Sequence, residues 1–161
     1  MKVLLPADIG FQLSVFAAGF GRDVVITSGR GLHDRPVAEH TLALVLAAAR
    51  RLNLLVPAQV EHRWAAELGG VQPIEDHGSF RTLRGARVTI WGFGSIATTL
   101  APLLQALGAT VTGLARSAGT RSGFTVVADT DIGTVLPGTD VLIAILPGIV
   151  GNHGIQRQPT R

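Results

Sequence analysis

Hydrophobic and polar positions divide the chain into two stretches of different rhythm. In the second, short apolar runs at 87–91, 110–114, 125–127 and 140–146 read as strands, and the longer pattern at 96–107 reads as a helix between the first two. Strands and helices alternating in this way predict a parallel sheet with helices on its faces. In the first stretch, 2–5 and 23–27 read as short buried strands, the second rich in β-branched residues and stopped by Ser28-Gly29. Residues 11–21 between them are apolar, interrupted by glycine, and take no assignment.

Asp34 is suited to cap a helix whose first turn holds Pro36 and Glu39, and good helix formers continue to about Leu52. Because residues 41–49 are apolar nearly all round, this helix is expected to be buried between layers or domains. Pro57 then allows a second helix through 59–68. Gly69-Gly70, Pro73, Asp76, His77, Gly78 and Ser79 form an extended loop, where the main boundary is placed.

Composition narrows this picture. Apolar residues are 47% of the 161 and charged residues 16%, which argues against disorder and for one ordinary domain, or two if one is incomplete. The longest apolar run, 41–49, falls far short of the roughly 20 residues of a membrane span. Pro6 and Asp8 break the apolar start, so a signal peptide is not expected and a cytoplasmic location is. Without cysteine there is neither a disulfide framework nor a thiolate zinc site. A pI near 11.0 invites a nucleic-acid reading, yet the net charge is only +3. The pI is high because Tyr and Cys are absent and Lys2 is the sole lysine; the arginines form no basic stripe, and nucleic-acid binding is not expected.

One motif carries chemistry. Gly92-Phe93-Gly94-Ser95-Ile96-Ala97 is a G-x-G-x-x-A turn between a strand and a helix. Its first glycine makes the bend, the second lets backbone approach a pyrophosphate, and the third position packs helix on strand. The helix that follows aims free N–H groups and its positive dipole end at the turn, which stabilises a dianion without a basic side chain. The rival reading is a structural turn in a glycine-rich chain. An NAD-preferring site usually has an acid about 20 residues on, at the end of the second strand. Ala115 stands there instead, followed by Arg116 and Ser117, a guanidinium fork and a hydroxyl suited to a 2′-phosphate. The cofactor expected is therefore NADP, with NAD as the alternative; a solvated arginine at a strand end is the plainer reading of Arg116.

Ser28-Gly29-Arg30-Gly31 with Val37-Ala38-Glu39-His40, and Leu83-Arg84-Gly85 running into the glycine turn, belong to two blocks that resemble the D-isomer-specific 2-hydroxyacid dehydrogenases. The first is Ser28-Gly29-Arg30-Gly31-Leu32-His33-Asp34 with Val37-Ala38-Glu39-His40-Thr41-Leu42-Ala43-Leu44, similar to the family's last substrate-domain strand and the interdomain helix with its V-A-E-H pattern. The second is Leu83-Arg84-Gly85-Ala86-Arg87-Val88 running into the glycine turn, then Leu107-Gly108 and Asp140-Val141-Leu142 to Leu146-Pro147. The resemblance implies an α/β chain: an incomplete Rossmann-like doubly wound parallel sheet at 83–150, with a remnant of an α/β substrate domain at 1–34. Interdomain or dimerisation helices at 35–68, a loop at 69–82 and an irregular tail at 151–161 complete the layout. It also implies hydride transfer between NADP(H) and a small 2-hydroxy or 2-keto acid. Ser95 and Ile96 would meet the pyrophosphate, Arg116 and Ser117 the adenosine ribose, and Leu146-Pro147 the adenine-side wall. Trp64 and the helix before it look like the segment that joins family dimers, so a homodimer or self-association is expected.

The departures also count. The family's substrate-binding Arg, its acid Glu and its acid/base His come after the position of Pro147, and the 148–161 tail has His153 but no such set. No catalytic residue is assigned, and the chain is expected to be inactive alone. Arg30 fits the substrate-domain block better than the catalytic arginine. Phe16-Ala17-Ala18-Gly19 is at most a trace of the carboxylate-binding glycine loop. His40 is read as a buried structural or interdomain histidine, His62 and His77 as surface residues, and His33-Asp34 not as a dyad. No metal is expected. If the sheet ends at 140–146, its apolar edge is left unpaired, which predicts marginal stability or association. A non-catalytic module that uses its apolar helix as a partner surface is the alternative function.

Overall fold

The computed structural model describes residues 2–5, 25–28, 31–68 and 80–146. Strands β1 (Lys2–Leu5) and β2 (Val25–Ser28) pair in parallel, Lys2 opposite Val25 and Leu5 opposite Ser28. The second therefore sits slightly later than 23–27. Residues 11–21, with Phe16-Ala17-Ala18-Gly19, lie outside the described residues, as do Arg30, His77, Pro147 and His153.

Helix α1 spans Asp34–Ala49. Asp34 is its first helical residue rather than its cap: His33 takes the N-cap position and no side chain caps it. The helix stops short of Leu52 because Arg51 turns into the left-handed region at φ 54°, and α2 (Leu52–Val60) leaves at 74° to α1. Helix α2 runs through Pro57 instead of starting there, and 61–68 is a series of turns rather than helix. Pro57 is tolerated because Asn53, whose carbonyl it cannot bond, is exposed and can turn to water. Among the described residues no single helix is long and apolar enough to cross a membrane.

Only one stripe of α1 is buried. Ala38, Val45 and Ala49 face inward and Leu42 is half-buried, whereas Leu44 and Leu46 are exposed. This corrects the expectation of burial all round: among the described residues α1 packs chiefly on the helix at Ser95–Ala106, so one side of an apolar cylinder stays open. His40 is turned to that open side and is exposed, not buried; His62 is exposed as expected.

The main sheet has the order β5-β6-β4-β3-β7. Strands β3 (Arg87–Trp91), β4 (Thr110–Ala115), β6 (Phe124–Ala128) and β7 (Val141–Ala144) run parallel. The short β5 (Gly119–Arg121) returns antiparallel along β6 and makes the sheet mixed. Helix α3 (Ser95–Ala106) crosses from β3 to β4. After β6 the chain makes a short helical stretch with α4 (Ile132–Val135) at its centre and enters β7. This is a Rossmann-like α/β arrangement. Val88, Ile90, Leu100, Leu104 and Leu114 form its core, and the apolar runs of β3 and β4 follow from burial on both faces of a parallel sheet.

At the amino ends of the strands, Arg87 holds Asp140. Its backbone N–H donates to Oδ2 at 2.7 Å, its Nε to the same oxygen at 3.1 Å, and its Nη2 to Oδ1 at 2.7 Å. The fork and the amide bond hold the Asp140 carboxyl down at about 2. Among the described residues β7 is the outer strand on this side, and its Leu142 is exposed.

Candidate functional site

The carboxyl ends of β3 and β7 flank the point where the strand order reverses, β3 going on to β4 on one side and meeting β7 on the other. Ligands of open α/β sheets bind in the crevice at such a point. The glycine turn is built there. Gly92 has φ 95°, and its amide bonds the Leu114 carbonyl at 2.9 Å. A Cβ on Gly92 would overlap the carbonyl oxygen of Ile145 and touch the Leu146 side chain. Glycine is thus required twice, by its dihedral and by the close approach of the segment after β7.

Gly94 differs. As the residue before α3 it has φ −104° and ψ −155°, ordinary extended values, and a Cβ there would meet nothing within 4 Å among the described residues. Packing among the described residues therefore gives no reason for glycine at this place beyond its general suitability as an N-cap; a ligand brought against the backbone gives a further one. With glycine as N-cap, α3 has no side-chain cap among the described residues, and Gly94 and Ser95 are exposed at its positive end. These features fit an anionic group such as a pyrophosphate.

Phe93 has two parts with separate duties. Its ring is buried, lies against Gly113, where a Cβ would strike it, and meets the Phe124 ring at 6.0 Å and 52°. Its backbone stays in the turn: the N–H bonds the Leu114 carbonyl at 3.2 Å, and the carbonyl accepts from Arg121 Nη1 at 2.8 Å. Ile96 is half-buried against the core, so at the turn it offers its backbone.

Ala115 ends β4 and is half-buried, with exposed Arg116 and Ser117 next. Arg116 has no side-chain bond among the described residues. Ser117 is held by Arg121, whose Nη2 donates to the Ser117 carbonyl at 3.2 Å and to its Oγ at 3.1 Å. The structure thus brings Gly92, Phe93, Gly94, Ser95, Ile96 and Leu146 to one turn and sets Ala115, Arg116 and Ser117 at the next strand end. Pro147 lies outside the described residues.

Two residues at the site escaped sequence reasoning. Arg121 joins the two loops, and the signal for it was Ser122-Gly123: with φ values of 50° and 84° these form the tight turn that folds β5 back along β6. Asp34 is the other. Its Oδ1 accepts from Ser95 Oγ at 3.1 Å, so a half-buried carboxylate from the start of α1 sits at the mouth of the glycine turn. Nothing in the sequence links positions 61 residues apart. Its charge opposes an incoming pyrophosphate while the α3 dipole attracts one. His33 is exposed near the same end of α1, and the described residues contain no cluster that could hold a metal ion.

A family model for the D-isomer specific 2-hydroxyacid dehydrogenase, NAD binding domain, matches residues 42–159. A search of curated proteins finds no match. Among solved structures, a D-isomer specific 2-hydroxyacid dehydrogenase family protein from Aeromonas salmonicida is 27% identical, with a TM-score of 0.65 over 82% of this chain and 39% of its own. A D-isomer specific 2-hydroxyacid dehydrogenase from Xanthobacter autotrophicus, in complex with NADPH and MES, is 24% identical with a TM-score of 0.68, covering 97% of this chain and 46% of its own. An NADPH-dependent glyoxylate/hydroxypyruvate reductase from Sinorhizobium meliloti, in complex with NADP and sulfate, is 23% identical with a TM-score of 0.66, covering 96% and 45%. The chain thus spans less than half the length of each of these three.

Proposed function

Because this chain belongs to the family of D-isomer-specific 2-hydroxyacid dehydrogenases and contains their NAD-binding domain, we propose that it binds a nicotinamide dinucleotide at the Gly92–Gly94 turn and prefers NADP(H). The observation that carries the reading is Gly94: glycine where neither a left-handed dihedral nor a neighbour among the described residues calls for it, at the positive end of α3. The α3 amides at Ser95 and Ile96 meet the pyrophosphate. Arg116 and Ser117 take the adenosine ribose and its 2′-phosphate, since Ala115 supplies no acid to repel one. Leu146 and Pro147 form the adenine-side wall. Two of the similar structures hold NADP or NADPH, which favours the same choice.

Bound, the dinucleotide supplies the hydride exchanged between a small 2-hydroxy acid and its 2-keto acid. The protein's part, in this reading, is binding and orientation, with no acid/base or substrate-carboxylate group assigned in this chain. The layout we propose is a substrate-domain piece at 1–34, linking helices at 35–68 and the dinucleotide domain at 83–150, with the exposed apolar side of α1 and α2 joining two copies. Titration with NADPH and with NADH, followed by nucleotide fluorescence, tests the site; binding of neither overturns it. Sustained oxidation of NADPH with glyoxylate or hydroxypyruvate would overturn the claim that this chain does not turn over alone.

A further inference from the structure

We propose that Arg121 sets the preference for the 2′-phosphorylated dinucleotide, as a positioning residue that acts through Ser117. The inference rests on the reading of the glycine turn as a dinucleotide site. Arg121 is half-buried at the end of β5 and donates to three oxygens: the Phe93 carbonyl in the turn, and the Ser117 carbonyl and hydroxyl beyond β4. In a Rossmann site these two loops serve neighbouring parts of one ligand, the pyrophosphate and the adenosine ribose. A single planar fork thus fixes the spacing between them.

The chemistry at Ser117 follows from direction. Its Oγ accepts from Arg121 Nη2, so its own proton is left to point elsewhere and to donate. A dianionic 2′-phosphate presents only acceptors and takes that donor, and it also gains from the guanidinium charge held behind the hydroxyl. A 2′-hydroxyl can be donor or acceptor and carries no charge, so it gains less from both. Arg116, exposed and unbonded among the described residues, can meet the phosphate directly; Arg121 sets the loop from which Arg116 and Ser117 reach.

The test measures dissociation constants for NADPH and NADH in the wild type, Arg121→Gln, Arg121→Lys, Ser117→Ala and the Arg121→Gln/Ser117→Ala pair, with a melting curve for each. Arg121→Gln is expected to weaken NADPH about tenfold and NADH about twofold, the loss typical of a charge-assisted bond. Arg121→Lys should recover part of the NADPH preference, and the double variant should lose little more than the worse single one. A merely structural clamp would weaken both nucleotides alike, and that result overturns the inference. If Arg121→Gln does not fold, Ser117→Ala decides: an unchanged NADPH to NADH ratio overturns the proposal. Wild type that binds both nucleotides equally sinks this inference and leaves the site standing. Wild type that binds neither sinks both.

Discussion

The sheet and the helical arm before it contain similar proportions of apolar sequence and treat it in opposite ways. In the sheet, Val88, Ile90, Phe93 and Leu114 are buried, because two strand faces and α3 close on one another. In the arm, Leu44 is 58%, Val60 74% and Trp64 84% exposed, because among the described residues α1 packs chiefly on α3 and α2 leaves it at 74°. An apolar pattern states what a segment gains from burial. Whether burial occurs depends on what lies opposite.

The largest test of the contrast is Phe93→Ala. The ring fills the notch left by Gly113 and touches Phe124, so its loss should cost about 3–5 kcal/mol by urea unfolding, a large fraction of what a small domain has. A loss under ~1 kcal/mol would mean that the sheet core is no better closed than the arm. Next comes Gly92→Ala, which combines a left-handed φ with an overlap at the Ile145 carbonyl and should cost about 2–4 kcal/mol. Gly94→Ala is its control. With ordinary dihedrals and no described atom in the way it should cost at most ~1 kcal/mol, the effect of alanine at an N-cap, yet lower dinucleotide affinity, and equal affinity would remove the main support for the site.

These glycines show how far sequence could go. Strand, turn and helix were legible because one short segment holds the whole motif and its period changes within it, and the extents of β3, α3 and β4 follow within a residue or two. Boundaries in the arm were not. Pro57 reads as a helix start, but a solvated Asn53 lets α2 run through it; Asp34 reads as a cap, but its carboxylate is turned to Ser95. Helix α1 looked buried because periodicity reports the helix and not its neighbours. Arg121 and Asp34 stayed hidden because their roles depend on contacts made by the fold.

A smaller effect lies at the opposite end of the sheet. Asp140 has its carboxyl held at about 2, against an ordinary 3.8, by the fork and amide of Arg87. Its stabilisation is present in full above the ordinary value and is lost as the pH falls towards 2. Asp140→Asn should flatten the stability profile between those limits and leave it parallel to wild type at higher pH. Because the pair is largely exposed, the change should shrink in high salt. An acid limb that Asp140→Asn leaves untouched would assign acid sensitivity to other carboxylates.

Asp34→Asn tests the place where arm and sheet meet. Asparagine keeps an oxygen to accept from Ser95 and removes the charge that faces the pyrophosphate. Two partly solvated charges several ångströms apart repel by about 0.5–1 kcal/mol, so NADPH should bind about two- to fivefold tighter, with the gain fading as salt is raised. Weaker binding would mean that the carboxylate holds Ser95 for the ligand instead of opposing it.

The smallest expected effect on folding falls in the arm. Val60 and Trp64 bury little side chain within the chain and Leu54 about half of its own, so Val60→Ser or Trp64→Ser removes little transfer energy from the fold and Leu54→Ser a modest amount. Val60→Ser and Trp64→Ser should each alter unfolding free energy by no more than ~0.5 kcal/mol when measured dilute, and Leu54→Ser by about 1 kcal/mol. The same substitutions should act on association, because an apolar surface open in one copy is what a second copy would cover. Light scattering across a concentration series reads this directly: the wild type should gain mass with concentration, and the triple variant should remain at the mass of one chain. If instead the triple variant melts like Phe93→Ala while dilute, these side chains are anchored within a single chain, and the arm belongs with the sheet as part of one closed core.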